Sequence, residues 1–205
     1  MSVESPKYEV LRHDGEFELR RYDGYLTANV RIAAAGYSQA ANAGFGPLAD
    51  YIFGNNHASD RIAMTAPVTS GMACCQKIAM TAPVSAAESQ GDYVVSFTMP
   101  SGYTRDSLPE PNNPRVSIES VPPGAFAVVR YSGYMNDKNA EKARGELDAW
   151  IAEEGLTPSG EPVAAQYDAP WKPGFARRNE ILIPVAEPAA AAAAEADGDV
   201  ASAES

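Results

Sequence analysis

The sequence predicts an α+β fold dominated by antiparallel sheet, and three observations carry that expectation. Strand-like alternation, one amphipathic helix and further strands follow one another twice along the chain. The two rounds, about 8–99 and 116–185, are parted by a stretch dense in turn formers, Pro100, Gly102, Pro109, Pro111, Asn112, Asn113 and Pro114. Only two helical patterns are present, too few for a doubly wound parallel sheet, so both are expected to pack on a mostly antiparallel one.

In the first round, residues 17–21 and 25–32 alternate well enough for strands. A helix is predicted over 38–53 because Ala41, Phe45, Leu48 and Ile52 recur at helical spacing. Pro47 lacks the N–H of the helical ladder and is expected to break or kink it, and Gly54 is a natural stop. Two extended runs then lead to an apolar strand at 93–99. In the second round, strands at 116–121 and 125–131 precede a helix over 137–154, with Asn136 as N-cap and Gly155 as the left-handed stop. Its stripe is Ala140, Ala143, Leu147, Trp150 and Ile151, and strands follow at 162–167 and 180–185.

At 205 residues and 21.7 kDa the chain can bury roughly 70% of its unfolded surface. Residues 1–185 are read as one domain and 186–205 as a disordered tail, because Ala189–Ala194 is unbroken and no large apolar residue anchors it. The net charge is -11, and Glu187, Glu195, Asp197, Asp199 and Glu204 supply five of the negative charges, leaving -6 on residues 1–185. That balance argues against nucleic acid, which needs a basic face. No apolar run reaches the ~18 residues of a membrane helix. Met1–Val10 has no apolar stretch behind a basic start, so no secretory signal is read and a cytoplasmic location is expected. Cys74 and Cys75 agree, since adjacent cysteines do not form an ordinary disulfide with each other and read as reduced thiols.

The most informative pattern is a near repeat, Arg61-Ile-Ala-Met-Thr-Ala-Pro-Val68 and Lys77-Ile-Ala-Met-Thr-Ala-Pro-Val84. If each copy is extended, Ile62, Met64, Ala66 and Val68 share one face, and each copy is half-buried. The residues between them, 69–76, would close a long hairpin, with Pro67 and Pro83 at strand ends or edges. Methionine is a known haem ligand, but it also fills apolar gaps, and Met64 and Met80 read as core.

Catalytic signatures are missing. His13 and His57 are the only histidines, which excludes multi-histidine metal centres, and there is no nucleophile elbow or Walker loop. Gly44-x-Gly46 lies in a helical stretch and lacks the third glycine of a dinucleotide loop. The carboxylate pairs Glu16 with Glu18 and Glu153 with Glu154 read as solvated faces. A loop from Tyr167 to Glu180 interleaves rings, prolines and cations, either to line a ligand or to cover the core with Trp171 and Phe175.

Three stretches together resemble the SOUL haem-binding protein family. They are Tyr8-Glu-Val10 with Phe17-Glu-Leu-Arg-Arg-Tyr22; Tyr51-Ile-Phe-Gly-Asn55 running into Ile62-Ala-Met-Thr-Ala-Pro-Val68; and Tyr167-Asp-Ala-Pro-Trp-Lys-Pro173 with Arg177-Arg-Asn-Glu180. The resemblance spans about 8–185. It implies a distorted antiparallel β-barrel with two flanking helices, built from two pseudo-symmetric halves. It also implies reversible, non-covalent tetrapyrrole binding by apolar contact with the first helix and the loop before the last strand. Here those regions offer Asn42, Phe45, Ala49 and Phe53 on the helix, and Trp171, Lys172, Phe175 and Arg177 in the loop. Aromatic rings would stack on the porphyrin, and Lys172 and Arg177 would pair with its propionates. This chain departs from some relatives at Asp50, an anion where they carry a base. Some family members use a histidine ligand, so His57, in the turn after the first helix, is the candidate for haem iron, with a surface turn residue as the alternative.

The resemblance therefore implies a haem or porphyrin carrier or buffer without enzymatic turnover. The alternative is a regulatory or sensor module whose cleft takes another apolar molecule or a peptide. A haem-modifying enzyme is a third reading, motivated only by the adjacent thiols.

Overall fold

Helix α1 (Tyr37–Ile52) and helix α2 (Asp137–Glu153) lie on one face of a curled nine-stranded antiparallel sheet in the computed structural model, which describes residues 4–72, 91–168 and 171–186. The strands are β1 (Tyr8–Asp14), β2 (Phe17–Tyr22), β3 (Tyr25–Ala33), β4 (Val68–Met72), β5 (Asp92–Thr98), β6 (Val116–Val121), β7 (Gly124–Tyr131), β8 (Val163–Gln166) and β9 (Asn179–Val185). Their order across the sheet is β1-β2-β7-β9-β8-β4-β5-β3-β6.

That order contains the expected duplication. Exchanging β2, β3, β4 and β5 for β6, β7, β8 and β9 turns the β3–β5 pairing into β7–β9, β4–β5 into β8–β9, and β2–β7 into β6–β3. The β4–β8 pairing maps onto itself, so the pseudo-twofold axis passes between these two strands. Strand β1 stands outside the symmetry as an added edge, paired to β2 with a register shift between Val10 and Arg12. Its polar, exposed residues hide it from a reading based on apolar alternation.

The core fills the space between helices and sheet. From α1 it takes Leu48, Tyr51 and Ile52, from α2 Leu147, Trp150 and Ile151, and from the sheet Val30, Val95, Val129, Ile181 and Ile183. The whole predicted stripe of α2 is buried, and Asn136 Oδ1 accepts from the Asn139 N–H as its N-cap. Gly54 and Gly155, each just past a helix, adopt φ of 114° and 66°.

Pro47 does not break α1, contrary to expectation. The residue before it is Gly46, which has no Cβ to clash with the proline ring, and the Ala43 position left without an N–H donor lies on the exposed side, where water can serve its carbonyl.

The first octet also differs from expectation. Only Val68 of it is in a strand, and Thr69–Met72 continue β4, which pairs antiparallel with β5, so these four residues are strand and not turn. Ile62 is held by its N–H bond to the Ile52 carbonyl, and Thr65 by a hydroxyl bond to the Thr98 carbonyl. These two anchors break the alternation, leaving Met64 42% exposed and therefore not core. Pro67 sits immediately before the strand, as its missing donor requires. The second octet with Met80 and Pro83, the thiols Cys74 and Cys75, and the tail beyond 186 lie outside the described residues.

Candidate functional site

The residues nominated on α1 form a stripe along one side of the helix. Phe45 is partly exposed and packs edge-on against Phe97 of β5, with ring centroids 5.4 Å apart. Ala49 is buried one turn later, Phe53 is exposed at the C-cap, and Asn42 is exposed one turn before Ala49's neighbour Phe45. Phe45 and Phe53 thus leave apolar surface in water along the second half of α1, and Met64 is exposed beyond it.

The nominated loop follows β8. Gly174–Ala176 make a single 3-10 turn, which leaves Trp171 and Phe175 at 86% and 85% exposure. Neither ring covers the core, so the bland reading of these two residues fails. The backbone beneath them is firmly held: Gly133 N–H donates to the Gly174 carbonyl, and Arg177 Nε donates to the Lys172 carbonyl at 2.7 Å. The Arg177 guanidinium lies over the Tyr134 ring, 4.6 Å from its centroid. Lys172 Nζ pairs with Asp168 Oδ1 at 2.6 Å. Burial alone would raise the Asp168 carboxyl, but Lys172 and the Arg178 N–H hold it below the usual carboxylate range.

Sheet register relates the two sets. Phe97, under Phe45, pairs with Val68, Val68 with Gln166, and Gln166 with Asn179, so these four side chains form one row on the helix-bearing face. Gln166 is the last residue before the loop, two strand spacings or about 10 Å from Phe97. The row ties the rooted end of the loop to the strand beneath Phe45.

His57 lies in the turn after α1. Its N–H donates to the Glu110 carbonyl, and its exposed ring lies 3.9 Å from the Glu110 carboxylate, against the proline-rich connector. Among the described residues no group of three or more His, Cys, Asp or Glu could hold a metal ion.

Sequence reasoning missed the buried ion network on the opposite, concave face. Arg20 and Glu180 are 1% and 0% exposed and meet through two parallel hydrogen bonds of 2.9 and 3.0 Å. Arg20 also donates to Glu18 and to the Tyr22 hydroxyl, while Glu180 accepts from Arg178 and from the Tyr167 hydroxyl. Burial alone would raise the Glu180 carboxyl, yet the Arg20 bonds and charge, with Tyr167 and Arg178, hold it below its ordinary range. Burial pushes the Tyr22 and Tyr167 hydroxyls up, so both stay neutral. Glu18 is therefore part of this network and not a solvated face, whereas Glu16 pairs with Arg130 at the surface as expected. Glu154 pairs with Arg12 of β1. The available signal was alternation, which sets Glu18, Arg20 and Tyr22 on one side of β2.

With this geometry in view, the family model described as SOUL heme-binding protein matches residues 3–184. The chain belongs to the SOUL haem-binding family. It is 27% identical over 171 residues to heme-binding protein 2 of Mus musculus and to that of Homo sapiens, covering 82% of this chain and 78% of each relative. The fold of this SOUL protein is also that of the EcmrR C-terminal domain, with a TM-score of 0.61 at 14% identity over 87% of this chain and 98% of that one. A hydrolase from Listeria innocua superposes with a TM-score of 0.59 at 10% identity, over 83% and 92% of the two chains. Identities this low establish shared architecture alone.

Among the described residues no helix of this SOUL protein is long and apolar enough to cross a membrane. The residues nominated for haem fit a flat apolar partner in one respect and not in another. Phe45, Phe53, Trp171 and Phe175 offer exposed aromatic surface. Lys172 and Arg177 already have internal partners, so pairing with a propionate would compete with Asp168 and with the Tyr134 ring.

Proposed function

We propose that this SOUL protein is a cytoplasmic carrier or buffer for haem and related porphyrins, without enzymatic turnover. The observation that carries the reading is the exposure of Trp171 and Phe175 on a loop whose backbone is pinned on both sides. Large rings held in water cost free energy unless a partner covers them, and family membership supports haem as the class of partner.

In this reading, Phe45 and Phe53 cover one part of the macrocycle and Trp171 and Phe175 another, by apolar contact and stacking. Haem would supply its own iron chemistry. The chain's residues bind and orient it, and Lys172 or Arg177 neutralises a propionate by leaving its present partner. In this reading apolar capture alone holds the macrocycle, and His57, exposed in the turn after α1, is not required as a ligand.

Titration of the purified protein with haemin should give a saturable Soret shift at one equivalent, retained in His57→Ala. A linear absorbance change matching nonspecific uptake would contradict the proposal. The sensor alternative would gain if a different small molecule co-purified with the protein and were displaced by no porphyrin.

A further inference from the structure

The concave face of the sheet carries a cavity, on the side opposite the helices. Register places Tyr25, Thr27 and Asn29 of β3, Thr98, Ser96 and Val94 of β5, and Thr69 and Gly71 of β4 on that face. They enclose about 260 Å³ together with an aromatic wall of Tyr22, Tyr25, Phe126 and Tyr167. Tyr22 and Phe126 stack edge to face at 5.4 Å, and Tyr22 and Tyr25 are 6.4 Å apart. A further cavity of about 510 Å³ adjoins it, sharing Pro6, Tyr25, Thr98 and Val121 as common walls.

One group in this cavity lacks a partner. Asn29 is 6% exposed and lines the space, and its Oδ1 is buried with no hydrogen-bond partner among the described residues. A buried acceptor left unpaired is destabilising, so the site is complementary to a donor. The surrounding hydroxyls are less demanding, because Thr27 and Thr69 already donate to the Glu119 and Ser96 carbonyls.

Charge sets the remaining requirement. The nearest buried carboxylate, Glu180, is saturated by Arg20, Arg178 and Tyr167. Glu119 is exposed at the rim, where its carboxylate accepts from Ser117. A charged guest would find no buried counter-charge, and an unpaired buried charge is prohibitive. The ion network does something else for the site: it fixes the Tyr22 and Tyr167 hydroxyls from behind, so their rings are pre-organised as a wall.

We propose that this cavity is a ligand site for a small neutral aromatic molecule bearing one N–H or O–H donor, stacked among Tyr22, Tyr25, Phe126 and Tyr167 and donating to Asn29. The site shares only Tyr167 with the loop, uses none of the residues proposed for haem, and does not depend on that reading.

The test titrates the full chain with indole and with 1-methylindole, which keeps the ring and lacks the donor, by calorimetry and by NMR shifts. Indole should bind saturably at one site, at least tenfold more tightly than 1-methylindole. Asn29→Leu should remove that preference, and Val94→Phe, which fills the cavity from β5, should abolish binding. Phe45→Ala should leave indole affinity unchanged. Absence of saturable indole binding, or equal affinity for the two probes in the unsubstituted protein, would overturn the proposal. So would binding lost in Phe45→Ala but kept in Val94→Phe. Because the two-probe comparison needs no substitution, it decides the matter even if Asn29→Leu fails to fold.

Discussion

Gly44 of α1 lies so close to Val95 of β5 that a Cβ placed on the glycine would stand 2.6 Å from the Val95 Cβ. The pair sets how near the helix can approach the sheet, and hence how Phe45, the next residue, sits over Phe97. Gly44→Ala should therefore destabilise the protein by about 1–3 kcal/mol, through overpacking against a buried strand. Gly145, at an equally interior position of α2, has nothing within 4 Å of its would-be Cβ, and Gly145→Ala should stabilise by about 0.5–1 kcal/mol. Urea denaturation of the two variants checks the opposite signs.

The Arg20–Glu180 pair makes a prediction about apportioning energy. Glu180→Leu alone strands a buried guanidinium beside Glu18 and Tyr22, and should cost about 3–5 kcal/mol. Arg20→Met with Glu180→Leu together should cost clearly less than the sum of the two single changes, since neither member of the fully buried pair is then left facing a missing partner, and only the less buried Glu18 and Arg178 lose a contact. A double-mutant cycle on urea midpoints measures the coupling, and strict additivity would contradict the geometry.

Acid stability follows from the same carboxylate. The folded-state pKa of Glu180 is held below its unfolded value, so its contribution is fully present above about pH 4.3 and is lost as pH falls through the lower folded value. Asp168 acts in the same direction through Lys172 and the Arg178 N–H. Stability measured from about pH 6 to about pH 3 should fall more steeply in the unsubstituted protein than in Glu180→Gln, which cannot titrate there. Parallel curves would assign the acid limb to other carboxylates.

The fold was legible where local pattern and tertiary role coincide. The α2 stripe from Ala140 to Ile151 is buried because its spacing admits one core-facing side, and Asn136 caps the helix because its side chain reaches the Asn139 N–H. The duplication could be read because both rounds repeat one order of elements. Met64 shows where pattern failed: two nonlocal bonds, from Ile62 to Ile52 and from Thr65 to Thr98, override strand alternation in the octet. Glu180 could not be matched to Arg20 because 160 residues separate them and only sheet order brings β2 and β9 to either side of β7.

Of the nominated haem residues, the aromatic ones lie exposed, as apolar capture requires, while the half-exposed cations already have partners. Lys172 and Arg177 looked free in a loop rich in charge, yet Asp168 and Tyr134 take them up. Lys172→Ala should therefore change haemin affinity by less than about threefold, because the salt bridge it loses offsets part of any propionate contact. Trp171→Ala should leave the unfolding free energy from urea denaturation within about 0.5 kcal/mol of the unsubstituted protein, since its ring touches water on most sides. A large loss of stability in Trp171→Ala would mean that the ring supports the fold after all.

Haemin dissociation constants, taken from Soret titrations of the unsubstituted protein and of the paired variants Phe45→Ala with Phe53→Ala and Trp171→Ala with Phe175→Ala, probe the proposed surface most directly. Each pair should weaken binding by about tenfold or more, with the fold intact by circular dichroism, because each removes aromatic area that only the ligand covers. Unchanged affinity in both pairs would contradict capture between α1 and the β8–β9 loop.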